Sequence, residues 1–402
     1  MPRATSMVTA PPTQPSPRPA SERLYFLDWL RIGAFAVLVL YHVGLYYVRW
    51  DFHVKSPFSG PELEPWMKLS EPWRLSLLFM VSGAATSQML RVGVDVALIR
   101  RRSRMLLLPL LCGVVLVVPP QSYFQVVQQY GYGGNFLDFL ALYFSHFRGF
   151  CQGEKCLVLP TWNHLWFLPY LWSYTMVLCG LVAFWPQVLV ATAAIVHKAL
   201  GGLALLVLPV GVLFSLRLAL LTRYPSTHAL WNDWFNHAVY FGMFLAGALF
   251  ATPKPMWERL AAVRWPALVA AIGSWYVLAF AALGGLTEQA AVAINQWAAL
   301  VAAFGFACVH LNFDNAWRAR LTEAVFPVYI LHQTIIIVGS QVLLPLRLRP
   351  LAEGPVLVVA TFALSYAGYE VLRRISVLRP WFGMARTKRH VSSPNPSIKA
   401  TS

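Results

Sequence analysis

Three ionisable side chains share one apolar stretch of this sequence: Asp28, Arg31 and His42, in FLDWLRIGAFAVLVLYHVGLYYV. Charged groups in so apolar a run are costly in hydrocarbon, so each is a candidate for function. Arg31 and His42 are eleven residues apart. On an α-helix that is three turns plus about 20°, so both fall on one face, roughly 16 Å apart along the axis. Asp28 precedes Arg31 by one turn and is expected to pair with it. An imidazole suits proton removal from a hydroxyl near neutral pH. A guanidinium suits phosphate, because its rigid fork donates two parallel hydrogen bonds. Taken singly, Arg31 could be an interfacial side chain reaching for water and His42 an ordinary hydrogen-bonded interior ring. Their shared face favours function.

A second histidine, His332, falls near the middle of FPVYILHQTII, flanked by Tyr329 and Gln333. At that depth it must face the protein interior, as a catalytic partner or as an interhelical hydrogen bond. Arg101 and Arg104, in RRRSRMLLLPLL, are one turn apart. They serve as an orientation signal, as a phosphate clamp, or as both. His164 opens TWNHLWFLPYLWSY beside Asn163, Trp162 and Trp166. That pattern also fits an interfacial aromatic belt. The catalytic candidates are therefore His42, Arg31, Asp28 and His332. Arg101, Arg104 and Arg31 are the candidates for gripping phosphates, and His164, Trp166 and Tyr329 for holding substrate. Ser82 and Gly83 are expected to allow close helix packing. Asn295, Gln296 and Glu370 are expected to make interhelical bonds.

The elements that must carry these residues are membrane helices. Of 402 residues, 58% are hydrophobic and only 12% charged, against about a quarter charged in soluble domains. Lipid must cover what polar surface cannot. The expected fold is all-α and polytopic, with about ten spans: 26–48, 74–91, 104–121, 164–185, 201–221, 235–252, 264–284, 289–310, 323–346 and 355–373. A net charge of +16 could suggest nucleic acid. The basic residues instead collect at the ends of apolar runs, about two thirds of them on one set of loops, which predicts both termini in the cytoplasm. Residues 1–22 read as a polar tail without a signal peptide, 23–380 as one membrane domain, and 381–402 as a basic tail. The long outer loop 122–163 holds Cys151 and Cys156, a disulfide or two free thiols with equal claim. No ligand set with metal spacing is present, so no metal is expected.

Several motifs in order carry a family resemblance: LDWLR followed by ten residues and His42, FMVSGA at 79–84, Arg101 to Arg104 before Pro109, HLWFL at 164–168, and FPVYILHQTII at 326–336. Together they resemble the acyltransferase 3 family of membrane O-acyltransferases, and the first and last are similar to its branch that succinylates periplasmic glucans. Met80 stands where that family has an aromatic. The resemblance implies a bacterial inner-membrane enzyme that takes an acyl group, acetyl or succinyl, from cytoplasmic acyl-CoA as co-substrate. The acceptor is then a hydroxyl of a glycan or glycolipid beyond the membrane. His42 is the expected general base, with His332 stabilising an oxyanion or carrying a proton, along a polar cavity crossing much of the bilayer. The alternative is a secondary transporter exporting a carbohydrate or acyl intermediate, which also needs buried ionisable groups. Oligomeric state has no signature in the sequence.

Overall fold

The computed structural model describes residues 24–91, 93–251 and 255–386. The expected tail at 1–22 and all of the other beyond 386 lie outside the described residues. Fifteen α-helices are present among them: α1 (Tyr25–Tyr47), α2 (Glu64–Met67), α3 (Arg74–Leu90), α4 (Val96–Cys112), α5 (Pro119–Tyr130), α6 (Phe136–Phe144), α7 (Phe167–Phe184), α8 (Pro186–Ala199), α9 (Ala204–Leu220), α10 (Trp234–Phe250), α11 (Pro255–Ala262), α12 (Arg264–Phe280), α13 (Gly285–His310), α14 (Ala316–Leu343) and α15 (Pro350–Leu372). The only strands described are a two-residue pair, Cys151–Gln152 and Lys155–Cys156. Each of the ten apolar segments read from the sequence contains a helix. Five stretches are long and apolar enough to cross a membrane by themselves, and three bent helix pairs bring the number to as many as eight. The 17-residue helices α3 and α10 are shorter.

Local chemistry explains where these helices stop. Asp95 caps α4 by accepting from the Leu98 amide at 2.6 Å, and Asn315 caps α14 by accepting from Arg318 at 2.7 Å. The segment expected at 104–121 is not one straight helix. It starts earlier, at Val96, loosens into a π-turn over Gly113–Val117, and bends by 46° where Pro119 begins α5. α8 was not anticipated. It meets α9 at 115° across Gly201–Gly202, with Gly202 at φ 55°, and none of its residues is buried. The packed chain also runs past the expected boundary at 380, because Phe382 and Met384 are buried.

α1 is central, packing against α3, α13, α14 and α15. The tightest contact joins α3 and α10. A Cβ on Gly83 would strike the Phe244 carbonyl, and one on Gly247 the Met80 carbonyl, so two glycines let the backbones touch. Elsewhere large apolar side chains point outward, among them Val212, Val269, Leu351 and Val359. Surface of that kind over helices of membrane length makes this a multi-pass membrane protein.

Both ends of the described chain emerge at one end of the bundle. The Tyr25 amide donates to Asn312 at 3.0 Å, and Arg379 pairs with Glu323 of α14 at 2.5 Å. This basic end also holds Arg320 and Arg373 on Glu370, at 3.0 and 3.2 Å. Asp28 keeps the expected attraction to Arg31 and gains a partner the sequence did not show. It forms an ion pair with Arg318 of α14, which also holds Asp314 at 2.7 Å. α14 brings this nearly buried guanidinium against the start of α1.

The far end is capped differently. Lys55 donates to the carbonyls of Leu45, Val48 and Trp50, which are left open where α1 stops. Burial pushes its ammonium down to about 8, against the pull of Asp51 and Glu64. Cys151 and Cys156 form a disulfide, settling the choice the sequence left open. Their hairpin closes an aromatic cluster of Phe139, Tyr143 and Phe150 beside α5 and α6.

Candidate active site

α1 and α14 meet where their histidines face each other. His42 Nδ1 and His332 Nε2 are 2.7 Å apart, and the two rings lie edge to edge within 4° of one plane. His332 is fully buried, and its Nδ1 is 2.6 Å from the Tyr329 carbonyl. A carbonyl only accepts, so His332 Nδ1 must carry a proton. A neutral His332 then has a bare Nε2, which can only accept from His42 Nδ1–H. His42 is thereby fixed with its lone pair on Nε2, and no described residue hydrogen-bonds that nitrogen. His42 lines a cavity of about 300 Å³ and an adjoining one of about 290 Å³. A free imidazole lone pair facing a cavity can accept a proton from a substrate hydroxyl. With its nitrogens engaged by His42 and the Tyr329 carbonyl, His332 is placed to orient His42 or to carry its proton.

His164 is also buried. Its Nε2 donates to the Ile330 carbonyl at 3.1 Å, and the Tyr329 hydroxyl donates to the His164 carbonyl at 2.6 Å. Both residues border the His42 cavity, but these bonds tie them to backbone. The His164 ring stands at 89° to His332, 5.0 Å away. Three imidazoles lie close together, yet their lone pairs do not converge, and no group of three His, Cys, Asp or Glu suited to a metal occurs among the described residues. Behind them Gln121 donates to Thr334 at 2.7 Å and accepts from Asn163 and Gln333 at 3.0 and 3.1 Å. The break after α4 turns Gln121 inward. Sequence reasoning missed it, because the bend that aims it involves a π-turn with no residue signature.

The mouth of the cavity has aromatic and ionisable walls. Trp166 stacks on His228 at 4.3 Å, and Trp50, Asp51 and Glu71 line the same space. Asp233 fixes the His228 loop by accepting from the amides of Thr227 and His228 at 3.0 and 3.2 Å, and from the Tyr170 hydroxyl at 2.7 Å. Arg74, 8% exposed, lies over the Tyr41 ring at 3.2 Å and donates to the Glu71 carbonyl at 2.9 Å. Burial holds the Glu71 carboxyl above its usual range, opposed by Arg74, and pushes the His228 and His53 imidazoles below theirs. Arg74, Glu71, His228 and Asp51 were not singled out from the sequence, where they read as loop or rim residues.

Arg31 lines a different cavity of about 380 Å³ at the basic end, with Phe35, Ser82, Thr86, Glu323 and Phe326. The cation that joins it there is Arg102. Arg101 and Arg104 are exposed and do not line it. The reason is helical phase: the face that α4 turns inward carries Arg102, which lies 100° around the helix from Arg101 and 200° from Arg104. Among the described residues, Arg31 and His42 line two separate chambers in place of the single polar passage expected, and apolar Phe35, Leu38, Leu78 and Phe167 lie where the two linings come nearest.

No curated protein and no solved structure matches the chain. A family model, Acyl_transf_3, described as an acyltransferase domain, matches residues 24–370, which include His42, His164, His332 and the whole lining of the His42 cavity, and most but not all of the Arg31 chamber. By that match over most of its length, the chain belongs to the acyltransferase 3 family.

Proposed function

We propose that the protein moves an acyl group from acyl-CoA, bound at the basic end, to a hydroxyl of a glycan bound at the far end, with His42 as general base. In this reading the basic end is cytoplasmic and the membrane is a bacterial inner membrane. Arg102 and Arg31 take the phosphates of the donor. Trp50, Trp166 and Tyr41 offer faces for sugar rings, and Asp51, Glu71 and Arg74 offer partners for hydroxyls. The acceptor O–H gives its proton to His42 Nε2 as its oxygen attacks the thioester carbonyl. The C–S bond breaks, the thiolate takes the proton, and free CoA and an ester are the products.

The observation that carries the reading is the His42 Nε2, which no described residue hydrogen-bonds, on a ring that lines the cavity and is oriented by a partner whose own tautomer is fixed by backbone. Incubating purified protein with labelled acyl-CoA and a mixed glycan fraction tests it. Label in glycan with wild type and none with His42→Ala, at equal protein recovery, is the expected result. Equal label in both would remove the base. Two chambers divided by a wall also suit a transporter. Counterflow of glycan without thioester cleavage would favour that alternative.

A further inference from the structure

We infer that Phe167 is a movable partition between the two chambers, and that the opening it guards sets the largest group that can be handed from one to the other. Among the described residues, Phe167 is the one side chain that lines both the His42 cavity and the Arg31 cavity. The wall there is thin. On α1 it passes from Phe35, facing the basic chamber, to Leu38, facing the far one, a rise of about 4.5 Å. On α3 it passes from Ser82 to Leu78, about 6 Å. One layer of side chains therefore separates the chambers.

The other members of that layer are held. The Tyr329 hydroxyl is bonded to the His164 carbonyl, and Phe35 meets the Tyr329 ring edge-on at 5.3 Å. Phe167 has no polar bond to break. It is the first residue of α7, directly after the 3₁₀ turn Asn163–Trp166, with its ring 4.7 Å from Phe79 and 6.1 Å from Tyr329. Space lies on both sides, about 300 and 380 Å³. A rotation of this ring joins the chambers without disturbing the histidine pair. An unbranched thioester arm is slimmer than the ring it displaces, so a short acyl group passes and a bulky one does not. Closed, the ring keeps water at the far end from the thioester. The acyl part of this inference rests on the proposed function, but the partition does not.

The test uses Leu38→Cys in full-length protein with Cys112, Cys179 and Cys308 changed to Ala. A membrane-impermeant thiol reagent is applied to right-side-out and to inverted vesicles. With Phe167 or Phe167→Trp, labelling is expected from the far side alone. Phe167→Ala should be labelled from both sides, with Phe167→Leu, which disturbs packing less, in between. In parallel, acetyl-, butyryl- and hexanoyl-CoA are compared as donors. The long-to-short ratio of kcat/KM should rise in Phe167→Ala and fall in Phe167→Trp. Labelling of the parent from both sides, or unchanged sidedness in well-folded Ala and Leu variants, overturns the partition. Sidedness that shifts as expected, with no turnover of any thioester, keeps the partition and sinks the acyl-transfer reading instead.

Discussion

Removing the acceptor behind His42 should disable catalysis without touching donor binding. In His332→Leu, the His42 Nδ1–H loses the nitrogen that stands 2.7 Å away in nearly the same plane. An unmet buried donor costs about 1–3 kcal/mol, so the ring escapes by turning over or by moving its proton to Nε2. Either response takes the lone pair out of the cavity. A general base in place contributes about 10²–10⁴ in rate, or roughly 3–5 kcal/mol of barrier. kcat for acyl transfer should fall by about that factor. KM for acyl-CoA should hold, because His332 does not line the Arg31 chamber. The assay is steady-state transfer in nanodiscs, with thermal unfolding as the control for folding. His332→Gln, whose amide oxygen can accept from Nδ1–H, should restore part of the rate, which a purely structural role would not require. A His332→Leu enzyme with wild-type kcat would refute the tautomer argument.

Arg102→Ala should weaken CoA binding by about 1.5–3 kcal/mol, tenfold or more in Kd, while Arg104→Ala leaves it unchanged. Equal effects in a CoA titration would return the clamp to the exposed arginines. Gly83→Ala should cost about 1–3 kcal/mol through overpacking against the Phe244 carbonyl, whereas Gly33→Ala, with open space around it, should be neutral. Indistinguishable melting temperatures would argue against the close approach of α3 and α10. Asp28→Asn, which leaves Arg318 with Asp314, should cost about 1–3 kcal/mol, and more than Arg31→Leu does. The reverse order in thermal unfolding would make Arg31 the stronger partner of Asp28. Lys55 binds fewer protons folded than unfolded between about pH 8 and the ordinary lysine range, so its contribution to stability rises with pH across that window. Lys55→Met should flatten the rise, and parallel pH profiles for the two proteins would count against it.

Composition and apolar run length determined the class of protein, because a chain this poor in charge has no other way to cover its surface than with lipid. The ten helical segments were legible for the same reason. Helical spacing also put Arg31 and His42 on one face of α1, and the depth of His332 marked it as interior. What spacing along one helix cannot reveal is which other helix comes alongside. Only the packing of α14 on α1 decided that Asp28 holds Arg318 and that His42 leans on His332. Only the phase of α4 decided that Arg102 enters the chamber in place of Arg101 and Arg104. The π-turn at Gly113–Val117 and the bend after it set Gln121 behind the histidines, and the approach of α7 placed Phe167 across the passage. These are contacts between residues far apart in the chain. Their energies depend on side chains that meet only after the helices have packed, so the chemistry was named by the sequence and its geometry by the bundle.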